Sequence, residues 1–261
     1  MSNPRFTPHQ AVGNRLKARG ESFDDMRVGK KVLLTWTEKW AEELSDALGA
    51  IPAPRTMFID TFWLRTVDTA EDGITVAFAP IGAPGTIMLM EDLIACGAES
   101  FVGVGASGGL DPDHPVGDVL IPNTVKIIDE GTSQHYPPNN DPTANQSLVA
   151  VLSGLIEKHG GRTTNGDWWT TDGFYREMTD DIARHADAGI LGVDMESSAI
   201  YRVAEHRGVS ACNMLVVSDE LWTEWNYGID FSEFKTGVGT MQAAALEWAR
   251  TPIPSPLQGG G

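Results

Sequence analysis

The chain has 261 residues, of which 41% are hydrophobic and 21% are charged. This composition excludes a disordered chain, a collagen-like repeat and a disulfide-rich miniprotein, and the length suffices for one domain with a large core. The formal net charge of −17 makes most of the surface repel polyphosphate and anionic lipid. We therefore expect neither nucleic acid nor a membrane as a partner.

The two cysteines are not spaced for metal binding. Cys96 lies in an apolar helical stretch and Cys212 in a strand-like run, and neither has a second Cys or a His at ligand spacing. We predict two buried thiols in a reducing compartment, with no metal and no other cofactor. No stretch approaches the ~18 apolar residues of a spanning helix, and the first residues lack the apolar segment of a signal peptide. The expected location is the cytoplasm.

Short Val/Ile/Leu-rich runs alternate with longer periodic runs, which indicates an α/β protein. The predicted strands show little polar alternation, as expected for strands covered on both faces, and span residues 31–36, 74–79, 101–105, 118–121, 168–171 and 211–217. The predicted helices repeat apolar residues every three or four positions and span residues 38–48, 86–96, 144–158, 195–206 and 237–250. We predict a single-domain three-layer α/β/α sandwich with a mixed central sheet over residues 1–250, followed by a flexible tail over residues 251–261.

Four segments carry more glycine or more polar residues than a covered junction between strand and helix requires. Such junctions are where open α/β sheets bind ligands. The segments are VGVGASGGL at residues 102–110, WWTTDGFY at 168–175, GVDMESSAI at 192–200 and VVSDE at 216–220. Each also has a structural explanation, respectively a glycine-rich turn, core aromatics, an acidic first turn of a helix, and an N-cap. No segment decides the function alone.

Taken in order, these segments resemble the nucleoside phosphorylase family, which includes small-subunit purine nucleoside phosphorylases, uridine phosphorylases and adenosylhomocysteine nucleosidases. The resemblance runs from residue 7 to about residue 247 and is most detailed over residues 189–219. Further matches are IGAPGTIMLMEDL at residues 81–93, VGASGGLDPDHPVGDVL at 104–120 and DEGTSQHYP at 129–137. The resemblance implies an enzyme that cleaves the N-glycosidic bond of a nucleoside.

The resemblance also implies two catalytic carboxylates. Glu196 matches the carboxylate that accepts hydrogen bonds from the ribose hydroxyls, and its charge would favour an oxocarbenium-like sugar. Asp219 matches the general acid that protonates or hydrogen-bonds N7 of the leaving base in purine-specific members. Uridine-cleaving members lack this acid, so we expect a purine substrate.

Other matched positions bind the substrate in the family. Phe174 matches the aromatic residue that stacks on the base, and Met195 matches the side chain packed under the sugar. His9 matches the histidine that reaches the ribose 5′-hydroxyl of a neighbouring subunit, which implies a homo-oligomer, most simply a hexamer. The predicted substrate-binding residues are His9, Ser107, Phe174, Val193, Met195 and Ser218.

The phosphate-binding arginines of phosphorolytic members are replaced in this sequence. Trp36 and Trp40 stand where the first-strand turn of the family has glycine and arginine, and Gly103 stands at a second arginine position. Ala106 replaces a Ser or Thr that touches phosphate, although Ser107 follows it. Two lost charged donors would weaken phosphate binding by about 10²–10⁴. We therefore expect water as the likelier acceptor and an apolar acceptor side.

Three interpretations stay open at this stage. The first is hydrolysis, with Glu38 as a candidate base or, alternatively, as an exposed glutamate in the first turn of a helix. The second is phosphorolysis through a rebuilt phosphate site, with donors from Lys39, Arg55, Arg65 and Ser107. The third is a nucleoside-binding protein without turnover, against which the retention of both catalytic carboxylates argues.

Overall fold

The computed structural model describes residues 4–26, 28–52, 63–67, 73–222 and 224–252. In these ranges one ten-stranded sheet contains β1 (Lys31–Thr35), β2 (Ile51–Pro52), β3 (Trp63–Val67), β4 (Ile74–Phe78), β5 (Ser100–Gly109), β6 (Val119–Asp129), β7 (Thr163–Thr171), β8 (Gly192–Asp194), β9 (Ser210–Glu220) and β10 (Asn226–Tyr227). The helices described are α1 (Pro8–Ala18), α2 (Glu38–Leu48), α3 (Ala83–Ala95), α4 (Gln146–Lys158), α5 (Thr179–Asp187), α6 (Ser197–Arg207) and α7 (Ser232–Arg250). A mixed sheet with helices on both sides confirms the predicted architecture.

The sheet curls so that part of it closes on itself. Its strand order is β10-β9-β6-β7-β8-β5-β1-β4-β3-β2, and β9 also pairs with β5, which joins five strands into a ring. β5 runs parallel to β9 and antiparallel to β8. Gly108 of β5 therefore pairs with Val193 on one side and with Asp219 on the other. This closure brings together two segments that lie far apart in the sequence.

Two groups of helices cover the sheet, α2 with α4 and α7, and α1 with α3 and α6. In α2, the residues Trp40, Ala41 and Leu44 recur at helical spacing and are all buried. Each fully buried Leu side chain contributes roughly 1.5–3 kcal/mol to folding. Gly49 ends α2 with a φ of 67°, a conformation that favours glycine.

The predicted strands and helices are present, but the interpretation of residues 102–110 as a glycine-rich turn is wrong. These residues continue β5 to Gly109, with a register shift between Ser107 and Gly108. Glycine is needed for close packing here, because a Cβ on Gly105 would lie 2.9 Å from Leu215 and 3.0 Å from Trp36.

The structure adds α1, α5, β3 and β8, which the sequence patterns do not predict. Neither α1 nor β8 has a clear apolar periodicity. The helix α1 buries only Val12 and Leu16, and the strand β8 has 3 residues. Cys212 is buried as predicted, whereas Cys96 is half-buried at the end of α3, and neither cysteine forms a disulfide.

Two of the sequence predictions fall partly outside the described residues. Residues 253–261 of the predicted tail lie outside them, and Arg55 does too. At the start of that tail, the Lys31 ammonium donates to the backbone carbonyl of Thr251. Within the described parts of the chain, no helix is both long enough and apolar enough to cross a membrane.

Candidate active site

A cleft of about 550 Å³ opens where β5, β8 and β9 meet. Its lining contains most of the predicted site residues, namely Ser107, Phe174, Val193, Met195, Glu196, Ser218 and Asp219. The closed ring of strands explains this convergence, because the ends of β8 and β9 flank the end of β5. Phe174 is 53% exposed, so its ring is accessible for stacking on a planar ligand.

Glu196 lies buried in the cleft just before α6, beside a second buried carboxyl, that of Asp194. The backbone N–H of Gly82 donates to Glu196 Oε1 at 2.6 Å. Asp194 accepts from the Thr170 hydroxyl at 2.8 Å and from the backbone and hydroxyl of Ser197 at 2.9 and 2.6 Å. Burial, and then the charge of Asp194, raise the pKa of Glu196. A cation placed in the cleft would favour the ionised form of Glu196.

Asp219 lies near the end of β9 and has donors on both oxygens. The Ser218 hydroxyl oxygen is 2.7 Å from Oδ1, and Trp225 Nε1 donates to Oδ2 at 2.9 Å. The same hydroxyl oxygen lies 3.0 Å from the Ser107 carbonyl oxygen. A hydroxyl has one proton. Ser218 therefore donates to one of these two oxygens at a time, either Asp219 Oδ1 or the Ser107 carbonyl oxygen.

Glu177 lines the cleft but lies in no motif of the sequence. It follows the short 3-10 turn Phe174–Arg176 and is half-buried. Among the described residues, Glu177 has no hydrogen-bond or ion-pair partner. Burial, and then the charge of Asp219, raise its pKa to about 7. A single glutamate after an aromatic pair matches no motif, so only the tertiary contact reveals it.

The cleft is acidic, since four carboxyl groups line it and no Lys, Arg or His does so among the described residues. The four are Glu177, Asp194, Glu196 and Asp219. The Ser107 hydroxyl also lines the cleft and is buried without a hydrogen-bond partner among the described residues. Such a group is available to a ligand. In the described part of the chain, no cluster of His, Cys, Asp and Glu is arranged to hold a metal ion.

Trp36 fills the space beside β5 that a side chain at position 103 would need. A Cβ on Gly103 would lie 2.1 Å from Asn213 Oδ1 and 3.1 Å from Trp36 Cη2. Trp36 is held there by a hydrogen bond of 2.8 Å from Nε1 to the Thr86 hydroxyl. Trp40, by contrast, is buried in the core against Phe234 and does not line the cleft, so the prediction that both tryptophans form the acceptor side is wrong for Trp40.

Glu38 and His9 are not among the residues that line this cleft. Glu38 is exposed in the first turn of α2, although the preceding Thr37 reaches the cleft. His9 is exposed on α1 and stacks on Phe23 with 4.3 Å between ring centroids.

Two cations considered for a rebuilt phosphate site lie elsewhere. Lys39 is 3.7 Å from Glu43 on the exposed side of α2. Arg65 is 3.4 Å from Asp46 and lies over the Trp63 ring. Of the predicted donors, Ser107 alone among the described residues lines the cleft.

Comparison with known proteins identifies the class. The sequence profile of the phosphorylase superfamily matches residues 32–247. A DeoD-type purine nucleoside phosphorylase of Bacillus cereus (strain B4264) is 32% identical over 153 residues, which are 58% of this chain and 65% of the relative. The corresponding protein of Bacillus thuringiensis (strain Al Hakam) is 31% identical over the same lengths. The aligned region thus covers slightly less than two thirds of these relatives.

Two solved structures share the fold. Purine nucleoside phosphorylase from Toxoplasma gondii, in complex with immucillin-H, aligns with a TM-score of 0.75 and 22% identity over 87% of this chain and 92% of that chain. Uridine phosphorylase from Vibrio fischeri ES114, in complex with 6-hydroxy-1-naphthoic acid, aligns with a TM-score of 0.73 and 22% identity over 85% and 91%. The chain belongs to the phosphorylase superfamily, which confirms the family predicted from the motifs.

Proposed function

We propose that this protein cleaves the N-glycosidic bond of a purine nucleoside or of a 5′-modified relative. The observation that carries the proposal is the convergence of Asp219 and Glu196 in one cleft with the accessible ring of Phe174. The names of the purine nucleoside phosphorylases that it resembles support the same substrate class.

The proposed chemistry assigns one role to each carboxyl. As the C1′–N9 bond breaks, its electron pair moves into the purine, and Asp219 donates a proton to N7. General acid catalysis of this kind typically contributes 10²–10⁴ to the rate. Positive charge develops on the sugar, and the ionised form of Glu196 stabilises it. Because burial beside Asp194 disfavours that ionised form in the free protein, the stabilisation is larger in the transition state.

We propose water as the acceptor of the sugar. An acidic lining repels phosphate, and the indole of Trp36 and the side chain of Asn213 occupy the space that an arginine at position 103 would need. Phosphorolysis is the second candidate, and the unpartnered Ser107 hydroxyl favours it because a hydroxyl can donate to phosphate. In that case the cations would come from outside the described lining, either from Arg55 or from a neighbouring subunit.

Product analysis with and without phosphate tests the acceptor. A panel of purine and pyrimidine nucleosides would be incubated with the protein, and free base and sugar products would be quantified. We expect free sugar at a rate independent of phosphate. Sugar 1-phosphate with a saturable phosphate dependence would instead establish phosphorolysis. Binding of nucleosides without release of base would favour a protein that binds but does not turn over.

We also propose a homo-oligomer, most simply a hexamer, in which His9 completes the cleft of a neighbouring subunit. His9 is exposed and lies outside the cleft of its own chain, as this role requires. Light scattering at micromolar concentration measures the mass, and His9→Ala should raise KM without changing that mass. A fully active monomer would contradict the proposal. The cytoplasmic location stays a prediction.

A further inference from the structure

The segment that follows β9 turns back and bonds to the end of that strand at the rim of the cleft. β10 pairs with β9 in antiparallel register, with Asn226 opposite Glu220. The side chain of Asn226 donates from Nδ2 to Glu220 Oε2 at 2.8 Å. Two residues further on, the backbone N–H of Gly228 donates to the Ser218 carbonyl oxygen at 2.9 Å. These bonds fix the backbone of the segment on both sides of Asp219.

Trp225 lies directly before β10 and lines the cleft. Its Nε1 donates to Asp219 Oδ2 at 2.9 Å, and its ring packs on that of Tyr227 with 5.6 Å between centroids. The Trp225 side chain is 65% exposed, whereas every other tryptophan of the chain is buried or half-buried. An aromatic ring this exposed contributes little to the core, because burial is what stabilises the fold. The contact with Asp219 is therefore the feature that accounts for its position.

The two hydrogen bonds that Asp219 can accept are not equivalent. The Ser218 hydroxyl lies within reach of both Asp219 Oδ1 and the Ser107 carbonyl oxygen, and its one proton serves one of them at a time. An indole N–H donates only, and that of Trp225 has Asp219 Oδ2 as its acceptor. Trp225 is therefore the donor whose bond to Asp219 does not alternate. With Oδ2 held in this way, the carboxyl cannot rotate freely about its Cβ–Cγ bond.

We infer that Trp225 is a positioning residue for Asp219, holding Oδ2 so that the carboxyl faces N7 of a purine bound in the cleft. The inference rests on the proposed cleavage of a purine nucleoside, in which Asp219 donates a proton to N7 as the C1′–N9 bond breaks. Trp225 gives up no proton and forms no covalent bond. Its contribution is orientation, because proton transfer needs heavy atoms about 2.6–3.2 Å apart and a displaced carboxyl loses this reach.

Trp225→Phe in the full-length protein tests this role, because it keeps an aromatic ring at the rim of the cleft but removes the indole N–H. We expect kcat for guanosine to fall about tenfold, since the proton donor is no longer held in place. KM should change by less than about twofold, because an aromatic ring still lines the cleft. A raised KM with an unchanged kcat would show that Trp225 only binds the substrate, and would contradict the inference.

A substrate that needs no proton at N7 makes this test specific. The cationic form of 7-methylguanosine, present at slightly acid pH, carries a methyl group on N7. The electron pair of its C1′–N9 bond neutralises the base, which leaves without receiving a proton. Trp225→Phe should therefore slow the cleavage of guanosine about tenfold and that of 7-methylguanosine less than about threefold. Equal losses on the two substrates would show a merely structural role and overturn the inference.

Two further variants make the result interpretable. Trp63→Phe makes the same change on β3, outside the cleft lining, and should keep the wild-type kcat for both nucleosides. Asp219→Asn should lose cleavage of guanosine, and adding Trp225→Phe to it should cause no further loss, because Trp225 acts through Asp219. A further tenfold loss in the double variant would show that Trp225 acts independently of Asp219, against the inference.

An NMR measurement that does not need turnover separates this inference from the proposed function. In protein labelled with nitrogen-15 tryptophan, the indole N–H signal of Trp225 is assigned by its absence in Trp225→Phe. Its proton should resonate at lower field in the wild type than in Asp219→Ala, which lacks the carboxylate acceptor. The same chemical shift in both proteins would refute the hydrogen bond and the inference with it. If the wild type released no purine from any nucleoside, the proposed function would fail, and this signal would still decide whether Trp225 holds Asp219.

Discussion

The buried acidic side chains of α3 and those of the cleft differ in whether they have cationic partners. On α3, Glu91 receives two hydrogen bonds from the Arg207 guanidinium, at 2.7 and 2.8 Å, and Asp92 receives two from Arg15, at 3.0 and 3.2 Å. In the cleft, no side-chain cation among the described lining residues pairs with a carboxyl.

This difference distinguishes the acidic residues that stabilise the fold from those that serve activity. A buried carboxylate paired with a planar guanidinium connects two elements, here α3 to α6 and to α1. A buried carboxyl without a cation costs stability and is retained where a ligand or a proton uses it. Removal of a cleft acid should therefore damage activity, and removal of an α3 pair should damage stability.

The largest effect is expected from Asp219→Asn. The change keeps the size of the side chain but removes the proton donor, so base release should fall by about 10²-fold or more. The free energy of unfolding should change little, as urea titration can show. Near-normal turnover in this variant would remove Asp219 from the mechanism.

Glu196→Gln should lower kcat by about tenfold to 10²-fold, because the charge that stabilises the sugar cation is lost. Since burial raises the pKa of Glu196, the neutral amide should fold at least as well as the wild type at neutral pH. Steady-state kinetics and urea titration on the same preparation measure both quantities. A destabilised variant with unchanged specific activity in its folded fraction would show a structural role instead.

Arg207→Met should lower stability rather than activity, because it leaves the buried carboxylate of Glu91 without its guanidinium. We expect the free energy of unfolding to fall by about 2 kcal/mol, with kcat unchanged in the folded fraction. The matched control is Lys30→Met, which removes an exposed pair with Glu99 and should cost less than about 0.5 kcal/mol. Equal losses in the two variants would contradict the distinction between buried and exposed pairs.

For Asp92 we expect a smaller, pH-dependent effect on the free energy of unfolding. Burial outweighs Arg15 and raises the pKa of Asp92 from 3.8 to about 6 in the folded protein. The folded state therefore binds the proton more tightly, and this contribution to stability is present at low pH and lost as the pH rises through about 6. Asp92→Asn should flatten that decline when unfolding is measured between about pH 4 and pH 7. An unaltered pH profile would show that Arg15 fully compensates the charge.

The smallest effect is expected from Glu38→Gln. Its carboxylate is exposed outside the cleft lining, so base release should stay within about twofold of wild type at every phosphate concentration. A drop of tenfold or more would restore the role of a catalytic base that the sequence suggests for Glu38.

The sequence predicts the α/β class from local patterns and predicts most of the residues that line the cleft from their resemblance to the family. Apolar periodicity is a local property, so strands such as β1 and helices such as α2 are visible in a single pattern. Asp219 and Glu196 are predicted because the segments that contain them, at residues 216–220 and 192–200, resemble motifs of the family. The superfamily is likewise identifiable from the order of these motifs.

Tertiary structure alone decides what depends on pairing between distant segments. The pairing of β5 with both β8 and β9 places Val193 and Asp219 on either side of Gly108, and no local pattern encodes that closure. The same long-range packing turns Trp36 toward the cleft and Trp40 into the core. It also sets Glu177 in the cleft with Asp219, since burial and neighbouring charge arise only when separate parts of the chain meet.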